Sequence, residues 1–241
     1  MRLARSVMAG LFFVAYGAGG LLFGSLLFPV LALLGSRDAK RRRMRAAVRV
    51  AYRVFVRAGA AVRLFRVEVS DRERLAEARG CVVAANHVSL IDVIVIMAML
   101  PDATCVVKGA VAGNFFMRAV VRWVFLVNSD PEKIVSEAAD LLRQGVSVLV
   151  FPEGTRMPDD GAAHPLRRGA ARLALAAGAP LLPVRLACTP PVLARGQPWH
   201  QVGDREVVYR LEPRSRIPVS GPSTHAAAAE LTRRLGERMF A

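Results

Sequence analysis

Between Arg5 and Arg37 the chain carries no charged residue, and Leu, Phe, Val, Ala and Gly fill the gap. About 20 apolar residues cross a bilayer as a helix. This stretch therefore predicts a membrane-binding helical segment: one tilted span, or two short helices broken near Gly17–Gly20 that dip in and return. Pro29 is tolerated near the end of such a helix. A secretory leader has an apolar core of only ~7–15 residues, so the gap is too long for one. Directly afterwards Arg41, Arg45, Arg49, Arg53 and Arg57 recur every four residues, while Met44, Val48, Tyr52, Phe55, Val56 and Val62 lie largely away from them. That spacing predicts a basic amphipathic helix with one slowly drifting cationic stripe, suited to an anionic lipid surface.

From Val67 onward the pattern changes to short apolar runs alternating with helical periods. Strands are predicted at Val67–Val69, Cys81–Ala85, Thr104–Val107, Val146–Phe151, Leu181–Ala187 and Glu206–Leu211, with a charged helix or turn at Asp71–Ala78. Helices are predicted at Leu90–Leu100, Phe115–Leu126, Pro131–Gln144, Arg168–Ala177 and Thr224–Met239, and an irregular loop at Pro190–Gly203. Val146–Phe151 is continuously apolar, as a strand buried on both faces must be. The alternation predicts an α/β fold with a mostly parallel central sheet flanked by helices, preceded by the membrane-binding segment. Residues 1–66 form the N-terminal anchor and basic helix, and residues 67–241 the α/β domain.

Composition sharpens this picture. The 241 residues are 54% hydrophobic with a formal net charge of +15. High charge combined with high hydrophobicity excludes a disordered chain. Three Cys (Cys81, Cys105, Cys188) in apolar runs exclude a disulfide scaffold and read as core residues of a reducing compartment. Arg37, Lys40, Arg41, Arg42, Arg43 and Arg45 follow the apolar gap, and only Arg2 and Arg5 precede it. The positive-inside rule then puts the α/β domain on the cytoplasmic face. So basic a chain invites nucleic acid as a partner, but no zinc-finger spacing or recognition-helix pattern is present. No His/Cys/Asp cluster has metal-ligand spacing.

Two segments carry chemistry. Asn86-His87-Val88-Ser89-Leu90-Ile91-Asp92 joins a strand to the next helix, at the strand end where α/β sheets place their sites. Residues five apart on a helix diverge by ~140°. His87 and Asp92 can therefore pair only if His87 lies in the loop, Ser89 caps the helix and Asp92 reaches back. A His so held is a general base for a hydroxyl; without the pairing, Ser89-x-x-Asp92 is a plain capping box. Phe151-Pro152-Glu153-Gly154-Thr155-Arg156 follows the buried strand. Its backbone N–H groups, hydroxyl and guanidinium suit a phosphate, with Glu153 ordering Arg156 or bonding a substrate hydroxyl. Lys108 ends another strand, in a chain whose only other Lys are Lys40 and Lys133; a compact ammonium there suits phosphate. His164 is a lesser candidate for lining an acceptor path.

Asn86-His87-x4-Asp92 with Phe-Pro-Glu-Gly-Thr-Arg, followed by Arg168-Gly169-Ala170 and Pro180–Val184, resembles the glycerolipid acyltransferase family over roughly residues 65–190. The resemblance implies a membrane-associated 1-acylglycerol-3-phosphate acyltransferase-like enzyme. It implies His87 and Asp92 as the catalytic pair. Lys108, Glu153, Gly154, Thr155 and Arg156 are implied at the acceptor's phosphate region. The donor would be acyl-CoA or acyl carrier protein, with no metal, no further cofactor and no nucleic acid. Membrane lipid would be the other partner, at the cell inner membrane. One segment departs from the family. Where it ends in Ile-Asp-Arg, this chain has Asn128-Ser129-Asp130. That version is similar to a subgroup associated with aryl-polyene lipids, which implies a specialised carrier-bound donor. A non-catalytic lipid-binding membrane protein is the remaining alternative.

Overall fold

The computed structural model describes residues 2–33, 35–109, 113, 118–156, 165–194 and 205–241. Helix α1 (Arg2–Leu22) passes through Gly17–Gly20 without a break, continues into a π-helical turn at Phe23–Leu27, and ends as α2 (Phe28–Leu33). The unbroken apolar stretch Arg5–Leu31 is 27 residues with mean hydropathy 1.9, about 40 Å of helix. By length and composition it can cross a bilayer. Ser36 caps α3 (Arg37–Ala61), its hydroxyl accepting from the Ala39 N–H.

The strands are β1 (Phe65–Val69), β2 (Val82–Ala85), β3 (Ala103–Lys108), β4 (Leu126–Asn128), β5 (Ser147–Val150), β6 (Leu181–Thr189) and β7 (Val207–Pro213). Among the described residues they form one seven-stranded sheet in the order β1-β7-β6-β2-β5-β3-β4. The five strands from β6 to β4 are mutually parallel; β7 runs antiparallel to β6 and carries β1 parallel to itself. The helices between them are α4 (Arg72–Ala76), α5 (Asp92–Met99), α6 (Arg118–Val124), α7 (Pro131–Arg143), α8 (Gly169–Ala177) and α9 (His225–Phe240).

The pleat divides the core in two. Cys81, Val83 and Ala85 face a cluster built with α1, α3, α5 and α6, while Val82 and Ala84 face one built with α7, α8 and α9. Both faces are covered, as the apolar run of β5 requires. Aromatic rings tie the N-terminal helices to the sheet: Phe12 lies 4.7 Å from Phe55, Phe55 5.6 Å from Phe65, and Phe65 meets Tyr209 edge-on at 5.9 Å.

Three expectations need correction. The cationic stripe of α3 does not stay on one open face. A four-residue step advances ~40°, so Arg45 is carried inward, buried, and clamped to Asp102 by two bonds of 2.6 and 3.1 Å. Arg53 donates to the Ala98 carbonyl at 3.0 Å. Second, Leu126–Asn128 is a short strand, β4, where helix was expected to end. Third, α5 begins at Asp92 rather than Leu90. Residues 115–117 of the expected helix, the larger part of the Pro190–Gly203 loop (195–203) and His164 lie outside the described residues.

Candidate functional site

β2, β5 and β3 are parallel neighbours, so His87, the loop after Val150, and Lys108 lie at one edge of the sheet. Asn86 fixes the exit of β2. Its amide donates to the Leu186 carbonyl at 2.8 Å and its side-chain oxygen accepts the Leu186 N–H at 2.6 Å. This bidentate staple on buried main chain leaves His87 in the loop.

Asp92 is completely buried. Its Oδ2 accepts three bonds: the Val88 N–H at 2.7 Å, the Ser89 N–H at 2.8 Å and His87 Nδ1 at 2.8 Å. An oxygen already facing two amide donors is an acceptor, so His87 carries its proton on Nδ1 and leaves Nε2 as the basic atom. Burial pushes the Asp92 carboxyl up, opposed by the His87 contact and the two amides. Asp92 does reach back to the Ser89 N–H, but from the first position of α5, with Ile91 and not Ser89 at the cap, so the expected capping box is not formed. The buried Ser89 hydroxyl goes instead to Tyr209 OH at 2.8 Å. Nothing local in the sequence marks Tyr209.

The second segment closes on the first. The His87 N–H donates to Glu153 Oε2 at 3.0 Å. Glu153 is nearly buried, 3% exposed, and burial pushes its carboxyl up to about 7; the His87 N–H works against the shift and the Asp92 charge adds to it. The turn is tight because Gly154 adopts φ +70°, a conformation glycine favours. A Cβ there would meet the Arg167 guanidinium at 3.1 Å. The His87 ring stacks on Phe151, centroids 4.2 Å apart. Imidazole orientation is thus set by a carboxylate at one atom, an aromatic face beneath and a carboxyl on the main chain.

Arg156 is not ordered by Glu153. Its Nη1 donates to the carbonyls of Leu193 and Ala194, at 2.7 and 3.2 Å, which ties the turn to the segment after β6. Leu90 N–H also reaches Leu193 O, at 3.2 Å. Thr155 is half-buried beside it, and Lys108 is exposed at its strand end. The structure therefore joins His87, Asp92 and Glu153 directly and places Gly154, Thr155 and Arg156 on the adjoining turn. Lys108 shares the edge with no hydrogen bond or ion pair among the described residues. No group of three or more potential metal ligands occurs among those residues. An apolar cavity bounded by Phe12, Phe65, Ile91, Leu193 and Tyr209 lies between this site and α1.

A profile of the Acyltransferase family matches residues 66–187, half of the chain. The chain belongs to the acyltransferase family. It is 36% identical over 129 residues to human 1-acyl-sn-glycerol-3-phosphate acyltransferase beta, covering 49% of this chain and 45% of that one. The chain thus spans about half the length of that relative. It is 27% identical over 247 residues to the Pseudomonas aeruginosa 1-acyl-sn-glycerol-3-phosphate acyltransferase, covering 97% and 89%. The fold matches the crystal structure of the 1-acyl-sn-glycerophosphate (LPA) acyltransferase PlsC from Thermotoga maritima. The TM-score is 0.73 at 22% identity, covering 100% of this chain and 95% of that one.

Proposed function

We propose that this protein is a membrane-associated O-acyltransferase that moves an acyl chain from a thioester to the free hydroxyl of a lysophosphatidate-like lysophospholipid. The observation that carries this is the Nδ1 bond from His87 to the fully buried Asp92, which leaves Nε2 basic beside a turn bearing Arg156.

The acceptor hydroxyl gives its proton to Nε2 as its oxygen attacks the thioester carbonyl. Asp92 stabilises the imidazolium that forms. The tetrahedral intermediate collapses, the C–S bond breaks, and the imidazolium returns its proton to the departing thiolate. An ester and a free thiol result, and direct attack requires no acyl-enzyme. Arg156 and Lys108 hold the acceptor's phosphate by charge, aided by the Thr155 hydroxyl, while Gly154 shapes the turn, its N–H closing on the Phe151 carbonyl at 3.0 Å. Glu153 acts first on His87, through its main chain. The donor is acyl-CoA or acyl carrier protein. The helix Arg5–Leu31 holds the domain at the inner membrane, and the basic run after it favours the cytoplasmic face.

One observation favours a second reading, a specialised lipid pathway with a carrier-bound donor. β4 ends in Asn128-Ser129-Asp130, and Asp130 caps α7 by accepting the Glu132 and Lys133 N–H groups at 3.0 and 3.2 Å. An acidic cap thus occupies the position where the family sequence offers Arg.

The test uses membranes expressing the wild type or His87→Ala, given labelled acyl-CoA or acyl carrier protein and a panel of lysolipids. Products are read by mass spectrometry. A product dependent on His87 is expected, and the panel names its acceptor. Equal product from both membranes refutes the base assignment. Lipid binding without turnover by either donor supports a non-catalytic protein.

A further inference from the structure

We infer that Tyr209 is a positioning residue for the His87–Asp92 pair, acting through Ser89; this rests on that pair being the base proposed above. Tyr209 lies in β7, outside the family-matched residues 66–187 and 120 residues from Ser89. Both side chains are fully buried, and their hydroxyls are 2.8 Å apart.

Asp92 is held by only one of its oxygens. Oδ2 takes all three bonds, while Oδ1 is buried without a hydrogen-bond partner among the described residues. The place of Oδ2 is therefore defined by two amides, those of Val88 and Ser89. Any slack in the Ser89 main chain passes straight to the imidazole, because no bond at Oδ1 restrains the carboxylate. The main chain just after Ser89 is tied by the Leu90 N–H to Leu193 O at 3.2 Å, and the Ser89 side chain adds the bond to the sheet, with Tyr209 as its side-chain partner. The Tyr209 ring is itself immobilised edge-on against Phe65, 5.9 Å away. Released from Tyr209, the Ser89 hydroxyl loses its bond to β7, and the Val88–Ser89 main chain can shift the two amides that place Oδ2. A strand two places from β2 in the sheet thus sets the orientation of the base.

The experiment compares full-length wild type, Tyr209→Phe, Ser89→Ala, the double variant and His87→Ala in detergent micelles containing acceptor. Tyr209→Phe keeps the ring and its packing. It is expected to lower kcat about 10- to 30-fold, as for a misplaced catalytic group, with KM for donor and acceptor within about twofold. Ser89→Ala should match it. The double variant should be no slower than the slower single one, since Tyr209→Phe removes the Ser89 bond together with the Tyr209 contact to Cys188, and Ser89→Ala then has nothing further to remove. Wild-type kcat in Tyr209→Phe, with His87→Ala inactive, overturns the inference and leaves the base assignment standing. Losses that multiply in the double variant also overturn it, because the two side chains then act separately. Full activity in His87→Ala overturns the reading beneath. If Tyr209→Phe does not fold, Ser89→Ala carries the test alone, and wild-type kcat there is the overturning result.

Discussion

Replacing Asp92 by Asn removes a charge while keeping nearly the same shape. The side-chain oxygen must face three donors, so the amide NH2 takes the place of Oδ1, which has no hydrogen-bond partner among the described residues. The Nδ1 proton still has its acceptor, so the tautomer persists and only the countercharge is lost. At 2.8 Å a carboxylate and an imidazolium attract by about 6 kcal/mol at an effective dielectric near 20. The Asn carbonyl dipole retains part of that. A net loss of ~4 kcal/mol corresponds to about a 10³-fold fall in kcat. Stability should behave differently. Burial pushes the Asp92 carboxyl up, so its ionised form costs the folded state free energy, and Asn relieves that cost. The new buried NH2 offsets the relief by about 1–3 kcal/mol, so Tm should stay within about 4 °C. The assay is the initial rate of ester formation by mass spectrometry at saturating substrates, with calorimetry on the same preparation. A variant within tenfold of wild-type kcat would refute the reasoning, as would one whose loss of rate follows a collapse in Tm.

Three further outcomes are expected. With Glu153 raised from 4.5 to about 7, the folded state binds the extra proton between those values. Stability from this group therefore falls as pH rises from 4.5 through 7 and is level above, by roughly 3 kcal/mol. Glu153→Gln should remove that slope in urea midpoints compared at pH 5 and pH 8. Gly59→Ala puts a Cβ 2.2 Å from Phe65 Cε1 and 2.3 Å from Cζ, in a ring packed against Phe12, Phe55 and Tyr209. A loss of about 1–3 kcal/mol is expected despite the helix propensity gained, read as a lower Tm. Asn86→Ala strips the buried Leu186 N–H and C=O of side-chain partners at 2.6 and 2.8 Å. It should cost about 2–4 kcal/mol, measured by urea unfolding.

Much of this fold was legible because its signals are local. The continuous apolar run of β5, the Pro131 and Gly145 that bound α7, and the uncharged gap before Arg37 are each read from contiguous sequence. The His87–Asp92 pairing was legible as a condition: it required His87 to be outside the helix, and α5 starts at Asp92. What the sequence did not disclose is long-range. Tyr209 reaches Ser89 across 120 residues, Arg45 meets Asp102 across 57, and Asn86 meets Leu186 across 100. Periodicity assigned Arg45 to a lipid face because it records spacing within one helix and not what packs beside it. β4 escaped because two apolar residues, Leu126 and Val127, extend a helical pattern as readily as they form a strand. The bond from Glu153 to the His87 main chain was hidden because backbone amides have no sequence signature.

The position of β1 has a consequence for how the chain is made. Phe65–Val69 leaves the N-terminal helices as an edge strand, and its ladder partner is Val207–Leu211 of β7. At 5–20 residues per second, the ribosome needs on the order of 10 s to supply the roughly 140 residues between them. Throughout that interval the nascent chain displays an unpaired strand edge that includes Phe65. The arrival of β7 both closes that edge and brings Tyr209 to Ser89. A chain released before that point would be folded over much of its sheet and prone to pair with its neighbours through the open edge.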